Sequence, residues 1–341
     1  MKSSKREIIN YSKNEIEKEI NRLHKNMETL KWSREDCSLI APLTLEINEL
    51  KKDKNAVILA HSYQMPQIIF GVADFVGDSY DLSRKAMKAK TDIIVFCGVK
   101  FMAETAKLLN HQKVVLLPSL EAGCSLADGI NAKDVQELKT NYPKSPVVCY
   151  INTTAAVKAE CDVCVTSANA VNIIRKLESE TVIFIPDKHM TKNLGSLTEK
   201  KIIGWDAECI VHDKFTPDHI KALREQYKGI KILAHTECDP SVAALADLVG
   251  GTGDMIRYVQ HSESKDFALI TECGLSERLR VEFPEKNFYG SCILCPYMKT
   301  IDLEKIRQVL LNPSNDQIIE IPDKIQQQAK KSLKRMFEMS F

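Results

Sequence analysis

The chain has 341 residues, 44% of them hydrophobic and 27% charged, which is enough for a soluble protein of two or three domains. Its 47 basic and 46 acidic side chains nearly cancel, so neither a nucleic-acid-binding surface nor a membrane-surface patch is expected. No apolar run approaches the roughly 18–20 residues of a membrane span, and no signal-peptide core is present near the start, so we expect a cytoplasmic protein.

The first part of the chain is rich in Glu, Lys and Asn and is predicted to form a helical extension over residues 1–38. Ile16, Ile20 and Leu23 recur at helical spacing, which indicates one apolar face packed against the rest of the protein. From residue 55 onward, short β-branched runs alternate with helical segments, as is typical of parallel α/β units. Another peripheral helix is predicted at the C-terminus.

Three stretches of the α/β region resemble one another. Each begins with an apolar strand that ends in polar residues, in VILAHSYQ (57–64), VVCYINTT (147–154) and KILAHTEC (231–238). Each continues to a Ser or Thr that opens a helix, and each closes on one cysteine. The landmarks recur with a period of about 86 residues, and they are His61, Tyr150 and His235, then Ser79, Ser167 and Thr252, then Cys124, Cys209 and Cys295.

This period predicts an α/β fold of three repeated doubly wound units with small parallel sheets, arranged about a pseudo-threefold axis. The predicted units are repeat 1 over 39–128, repeat 2 over 129–213, and repeat 3 with the C-terminal helices over 214–341. Parallel units present ligand groups outside the carboxyl ends of their strands, where side chains at i and i+2 share a face. We therefore expect six strand-end side chains to converge on one cavity, namely His61, Tyr63, Tyr150, Asn152, His235 and Glu237.

Ser79, Ser167 and Thr252 stand where the N-cap of a helix belongs. Taken singly, each is best explained as a residue that only caps its helix. Three helix N-termini at equivalent positions would instead form a pocket for anions, because their free N–H groups and positive dipole ends would face one cavity. Carboxylates or a phosphate are the expected ligands.

Eleven cysteines in a chain without a secretory signal are expected to be thiols, and some of them metal ligands. Cys124, Cys209 and Cys295 supply one thiolate per repeat, which suits a [4Fe–4S] cluster that keeps one iron open as a Lewis acid. In this interpretation Cys295 belongs to the repeat and the neighbouring Cys292 is additional. Zinc stays an alternative, with four ligands from Cys161, Cys164, Cys292 and Cys295, or with His212 completing a site beside Cys209.

Several motifs between residues 56 and 299 resemble those of the quinolinate synthase family, among them AHSYQ, GDSYDLSR, CSLAD, YINTTAAVKAE, CIVHDKF, AHTEC and CPYM. The resemblance implies three α/β domains about a pseudo-threefold axis and one [4Fe–4S] cluster per chain on Cys124, Cys209 and Cys295. It also implies condensation of iminosuccinate (iminoaspartate) with dihydroxyacetone phosphate to quinolinate, phosphate and two waters, in NAD biosynthesis. A functional coupling to an L-aspartate oxidase or dehydrogenase, which would supply the imine, is a further expectation.

The resemblance also implies roles for the residues of the expected cavity. Substrate-binding positions are His61, Ser79, Tyr150, Asn152, Ser167, His235, Glu237 and Thr252. Glu237 is expected to act as a general base, with His235, His61 and Tyr63 as further catalytic residues.

One position departs from the family pattern. Some members carry Cys-x-x-Cys-x-x-Cys, whose first two cysteines can form a disulfide, but position 289 is Tyr here, so regulation of that type is in doubt. His212 has no counterpart in the other repeats, and the roles of His189 and His212 stay open. The alternative from another class is a zinc-stabilised α/β module that binds an anionic metabolite without chemistry.

Overall fold

The computed structural model describes residues 11–290 and 292–340, so the first ten residues of the predicted N-terminal extension lie outside the described residues. Two helices precede the first strand, α1 (Lys13–Met27) and α2 (Arg34–Asp53). Both begin with a serine capping box, which satisfies N–H groups that the first helical turn leaves free. Ile20 and Leu23 of α1 are buried against Cys37 and Ala41 of α2. The apolar face predicted for the extension therefore packs on α2, which itself continues across the predicted boundary at residue 38.

Twelve strands form three four-stranded sheets within the described residues, and every pairing in them is parallel. Counted within its own unit, each sheet has the same strand order, second–first–third–fourth. The strands are β1 (Ala56–His61), β2 (Phe75–Gly77), β3 (Ile93–Cys97) and β4 (Val114–Leu116); β5 (Val147–Tyr150), β6 (Val163–Val165), β7 (Thr181–Ile185) and β8 (Lys201–Ile203); β9 (Lys231–His235), β10 (Leu248–Gly250), β11 (Asp266–Ile270) and β12 (Asn287–Tyr289). The predicted fold class, with three repeated doubly wound units, is confirmed.

Helices connect the strands and cover the sheets. They are α3 (Pro66–Ile69), α4 (Ser79–Lys88), α5 (Lys100–Leu109) and α6 (Ser125–Asp128); α7 (Ala132–Asn141), α8 (Ala155–Ala159), α9 (Ala170–Lys176) and α10 (Lys188–Leu197); α11 (Pro217–Gln226), α12 (Pro240–Ala243), α13 (Thr252–His261) and α14 (Gly274–Glu282); and α15 (Leu303–Leu311) and α16 (Asp323–Met339). In the part of the chain that the structure describes, none of them combines the length and hydrophobicity that crossing a bilayer would require.

In each sheet, an aspartate at an equivalent position forms a hydrogen bond with the first strand of the unit. The carboxylates of Asp74, Asp162 and Asp247 accept the backbone N–H of a residue near the start of β1, β5 and β9, at 2.8, 2.7 and 2.8 Å. All residues of β1 and β5 are buried, as expected for parallel sheets that carry helices on both faces. The three units thus repeat in side-chain contacts as well as in strand order.

Within the described residues, the main contacts of the C-terminal helices are with the first two units. Helix α15 contacts α2 and β3, and α16 contacts α8 and β6. Between them, Ile318 forms an antiparallel bridge with Leu116 at the edge of the first sheet. The domain boundaries predicted from the repeat stay a prediction, but the segment after residue 300 lies on units that precede it in the chain.

Candidate functional site

A cavity of about 740 Å³, counted out to its open mouth, lies at the carboxyl ends of the central strands of all three sheets. It is lined by every site residue predicted from the sequence, namely His61, Tyr63, Ser79, Cys124, Tyr150, Asn152, Ser167, Cys209, His235, Glu237, Thr252 and Cys295. The three repeats therefore contribute four side chains each to one site. The structure brings the residues together, while their roles stay predictions.

Two histidines are held in the same way in the first and third units. His61 and His235 end β1 and β9, and each Nδ1 accepts the backbone N–H two residues later, from Tyr63 at 3.2 Å and from Glu237 at 3.3 Å. Burial lowers the pKa of both rings to about 3, and the charges of neighbouring residues change this pKa less than burial does. Both imidazoles are therefore neutral, and with Nδ1 accepting, the ring proton is on Nε2.

Glu237 is at the centre of the polar contacts in the cavity. Oε1 accepts hydrogen bonds from the Tyr150 hydroxyl at 2.6 Å and, more weakly, from Asn152 Nδ2 at 3.4 Å, and Oε2 lies 2.9 Å from His212 Nδ1. Burial alone would raise the pKa of Glu237, but the His235 and His212 rings and the Tyr150 hydroxyl outweigh it and lower that pKa below its usual range. The carboxylate is thus ionised and accepts from several donors.

Thr271 is a site residue that the sequence interpretation missed, and His212, whose role was left open apart from a possible zinc site beside Cys209, lines the cavity. His212 stacks on His235 with 4.3 Å between ring centroids, and the Thr271 hydroxyl lies 2.8 Å from His212 Nε2 and 2.6 Å from the Tyr63 hydroxyl. If Nδ1 of His212 carries the proton that Glu237 accepts, one relay of donors runs from Tyr63 through Thr271 and His212 to Glu237. The signal for His212 was its spacing of three residues from Cys209, whose sulfur is 3.2 Å from Nδ1. His189 instead pairs with Asp213, at 2.7 Å, and does not line the cavity.

The helix N-termini differ in detail from the prediction. The N-caps of α4, α9 and α13 are Asp78, Asn169 and Gly251, so Ser79 and Thr252 are first helical residues and Ser167 lies in the turn before α9. The prediction that these three residues are N-caps is therefore wrong, because neighbouring residues adopt the extended or turn conformation required there. All three still line the cavity.

Two polar atoms near these N-termini have no hydrogen-bond partner among the residues that the structure describes. Asn152 Oδ1 and Thr166 Oγ1 are buried, and both residues line the cavity. Because a buried polar atom without a partner is costly, these two atoms indicate where a ligand or water would complete the hydrogen bonding.

The three predicted cluster cysteines are free thiols in equivalent turns. Each sulfur accepts backbone N–H groups two and three residues later: from Leu126 and Ala127 for Cys124, from Val211 and His212 for Cys209, and from Tyr297 and Met298 for Cys295. Burial raises the pKa of Cys124 to about 12 and raises the pKa of Cys209 and Cys295 as well, while those N–H groups oppose the rise. Donors of this kind stabilise a thiolate, which is the form that binds metal.

The remaining cysteines of the zinc alternative are placed elsewhere. Cys292 is bonded to Cys273, Cys164 lies in β6 with its sulfur 3.3 Å from that of Cys149, and Cys161 donates to the carbonyl of Val157. A four-cysteine site from Cys161, Cys164, Cys292 and Cys295 therefore does not form among the described residues. The Cys273–Cys292 pairing is a second feature that the sequence interpretation missed.

Comparison with known proteins identifies relatives that span most of the chain. The family model described as "NadA: Quinolinate synthetase A protein" matches residues 45–338. Quinolinate synthase 2 of Mesorhizobium japonicum is 48% identical over 290 residues, which cover 85% of this chain and 89% of that protein. The quinolinate synthase of Xylella fastidiosa strain 9a5c is 47% identical over 85% of each chain, and that of Caulobacter vibrioides is 43% identical over 88% of this chain and 82% of its own.

Proposed function

The chain belongs to the quinolinate synthase family of NAD biosynthesis, and on that premise we propose that it condenses iminosuccinate with dihydroxyacetone phosphate. The products are quinolinate, phosphate and two waters, which account for all atoms of the two substrates. The observation that carries the proposal is the convergence of twelve predicted side chains from three units on one cavity. An L-aspartate oxidase or dehydrogenase would supply the imine.

Cys124, Cys209 and Cys295 would hold a [4Fe–4S] cluster. The fit is supported by three free thiols from three units and by the two backbone N–H donors that each sulfur receives. Three cysteine ligands leave one iron without a protein ligand, and when bound the cluster would supply Lewis-acid chemistry to the cavity. Because the buried thiols must lose their protons to ligate iron, cluster assembly should release protons.

The substrates would be bound by groups that favour anions. The N–H groups at the starts of α4 and α13, beside Ser79 and Thr252, carry the positive ends of their helix dipoles. Ser167 and Thr166 add hydroxyls that can donate to anionic oxygens, and Asn152 Oδ1, which has no partner among the described residues, can accept from a hydroxyl or N–H group of the substrates. Holding a dicarboxylate and a triose phosphate side by side reduces the entropic cost of joining them.

Proton transfers would be carried out by the side chains around Glu237. The lowered pKa of Glu237 makes it a weak base, but a substrate carboxylate bound nearby would raise that pKa through like-charge repulsion. Neutral His61 and His235 can donate from Nε2 to developing negative charge on oxygen. The Tyr63–Thr271–His212 relay would return protons to the carboxylate.

Anaerobic purification tests the proposal. We expect a brown protein that absorbs near ~400 nm, binds about four irons per chain and forms quinolinate from the two substrates, measured by chromatography. The cysteine variants sharpen the test. Cys124→Ala, Cys209→Ala and Cys295→Ala should each lose the cluster and activity, whereas Cys161→Ala and Cys164→Ala should keep the iron.

Two outcomes would contradict the proposal. A colourless protein with one zinc would favour the binding-module alternative, for which Cys209, His212 and Glu237 offer ligand atoms within 4.8 Å of one another. Equal loss of iron in Cys161→Ala and Cys209→Ala would contradict the assignment of one ligand to each unit.

A further inference from the structure

A buried ion pair, Glu272 with Lys299, lies behind Cys295. Glu272 is fully buried, and its Oε1 lies 2.9 Å from Lys299 Nζ and accepts the backbone N–H of Cys295 at 3.3 Å. Its Oε2 accepts the backbone N–H of Gly274 at 2.7 Å. One carboxylate thus joins the end of β11, the start of α14 and the segment that carries Cys295.

The lysine of this pair extends the connection to the first unit. Lys299 Nζ also donates to the backbone carbonyl of Tyr63, whose hydroxyl is held by Thr271, the residue before Glu272. The backbone carbonyl and the side-chain hydroxyl of Tyr63 are therefore both bound by residues of the third unit. The neighbouring Gln64 adds a third connection, since its Nε2 donates to the Met298 carbonyl at 2.9 Å.

The other two units fold without such a pair. The position two residues beyond the third strand is Val99 in the first unit and Asp187 in the second, where Glu272 stands in the third. Asp187 accepts from Met190 N at 2.6 Å, and within the described part of the chain its Oδ2 has no hydrogen-bond partner. Since the same strand order forms in all three units, the fold itself does not require Glu272 and Lys299.

We propose that Glu272 and Lys299 are positioning residues that set the place of Cys295 relative to Tyr63. The inference rests on the proposed function, because it takes Cys295 as a cluster ligand and Tyr63 as a residue that contacts substrate. A charge left alone at this buried site would draw in water and loosen the segment, so removal of either partner should make Cys295 more mobile. The substrate-binding helix N-termini are not part of this connection.

The first experiment compares Lys299→Met and Glu272→Gln with a matched control, Lys51→Met. Lys51 is similarly enclosed and also binds a carbonyl and a carboxylate, Val72 O at 2.6 Å and Asp74 at 2.8 Å, but both partners lie between α3 and β2 and not in a segment that carries a predicted cluster cysteine. Iron removal by a chelator should be at least about tenfold faster in Lys299→Met than in the parent, and unchanged in Lys51→Met even if that variant melts earlier. In Lys299→Met, kcat should fall while KM for the substrates stays within about threefold, and Lys299→Arg should restore part of kcat.

The second experiment needs no cluster and separates this inference from the proposed function. In the metal-free full-length chain, the alkylation rate of Cys295 is followed by peptide mass spectrometry, with the Cys273–Cys292 disulfide kept in the same redox state throughout. We expect that rate to rise about tenfold in Lys299→Met and to stay at the parent value in Lys51→Met. Parent-like alkylation in Lys299→Met, or an equal rise in Lys51→Met, would overturn the inference. A parent protein that holds no iron would contradict the proposed cluster alone.

Discussion

At the scale of single residues, the chemistry of the cavity depends on which side chains are charged. Burial keeps His61 and His235 neutral, while Glu237 keeps its charge because the hydroxyl and ring groups around it favour the ionised form. The site therefore combines one anionic acceptor with two neutral donors. This arrangement suits the removal of protons from carbon with simultaneous stabilisation of charge on oxygen.

Replacement of Glu237 by Gln should remove the base and keep the shape of the site. The variant should fold, retain iron and bind a substrate analogue, yet form quinolinate at least ~100-fold more slowly, since the amide cannot accept the protons. Steady-state rates and calorimetry would measure the two effects. Tyr150→Phe is the control, because it removes one donor and leaves the carboxylate, so its loss of rate should be smaller. A rate within a few-fold of the parent in Glu237→Gln would limit Glu237 to binding.

The neutrality of His61 has a consequence for stability. Its pKa is lowered from 6.5 to about 3 by burial, so between those values the unfolded chain takes up a proton that the folded chain does not. The contribution of the neutral ring to the free energy of unfolding is complete above pH 6.5. It decreases as the pH falls, and at pH 5 it has decreased by about 2 kcal/mol. The difference in unfolding free energy between the parent and His61→Asn, measured in urea for the metal-free chain, should change by about this amount from pH 7.5 to pH 5. A pH-independent difference would show that the ring takes up its proton at the same pH in the folded and the unfolded chain.

At the scale of elements, the segments that carry Cys124, Cys209 and Cys295 are each hydrogen-bonded to the start of a helix in their own unit. The backbone N–H of the first residue of α5, Lys100, donates to Ala122, and Lys188 at the start of α10 donates to Ala207, both at 2.8 Å. Cys273 donates to Ile293 at 3.3 Å. Each acceptor lies two residues before a cluster cysteine, so the helix that follows the third strand of each sheet fixes where the thiol points.

The N-terminus of α13 is packed tightly against the other units. A Cβ added at Gly251 would come within 2.2 Å of the Ser167 hydroxyl oxygen, and one at Gly253 within 2.6 Å of an Asp78 carboxylate oxygen. Glycine at these positions lets the helix N-terminus approach its neighbours closely.

Gly251→Ala should therefore displace Ser167 and weaken anion binding. We expect the affinity for a small dicarboxylate to fall at least about tenfold, in line with the usual cost of overpacking, while the iron content stays at the parent level. Calorimetry with the dicarboxylate and with its uncharged diamide would measure the effect, and the parent should bind only the former. Gly195→Ala in α10 is the control, since a Cβ there has no neighbour within 4 Å. Unchanged affinity in Gly251→Ala would contradict the anion pocket.

At the scale of the whole molecule, the C-terminal helix holds together units that are distant in the chain. Ala329, Leu333 and Met336 of α16 are buried, and Ser332 Oγ donates to the carbonyl of Lys158 at 2.9 Å. Lys158 is itself fully buried and donates to the Ile151 and Thr153 carbonyls, in the strand-end turn that carries Asn152. Helix α16 thus supports the second unit's part of the site from behind.

Leu333→Ala should consequently destabilise the protein by about 2–5 kcal/mol, the usual cost of a large-to-small change in a core. The urea midpoint of the metal-free chain would measure this, and Leu39→Ala is the control because Leu39 is 81% exposed. Equal midpoints for the two variants would show that α16 is dispensable for the second unit.

The repeat in the sequence was sufficient to predict the fold class and twelve of the residues that line the cavity. It was sufficient because the polar positions at the ends of β1, β5 and β9, such as His61, Tyr150 and His235, recur with one period, and the carboxyl ends of parallel strands collect ligands. The cysteines followed from the same period. The local sequence pattern was sufficient to predict these features, since each repeat carries its own copy of the pattern.

Contacts that occur once could be identified only in the folded chain. Among the described residues, the stacking of His212 on His235, the Cys273–Cys292 pairing, the Glu272–Lys299 ion pair and the packing of α16 on the second unit have no counterpart in the other repeats. Each involves at least one residue outside the repeated pattern, and its partner is set by packing within the third unit or between units. The N-caps could likewise not be predicted from residue types alone. Asp78 and Gly251 are the N-caps because of their backbone conformation and, at Gly251, close packing against Ser167.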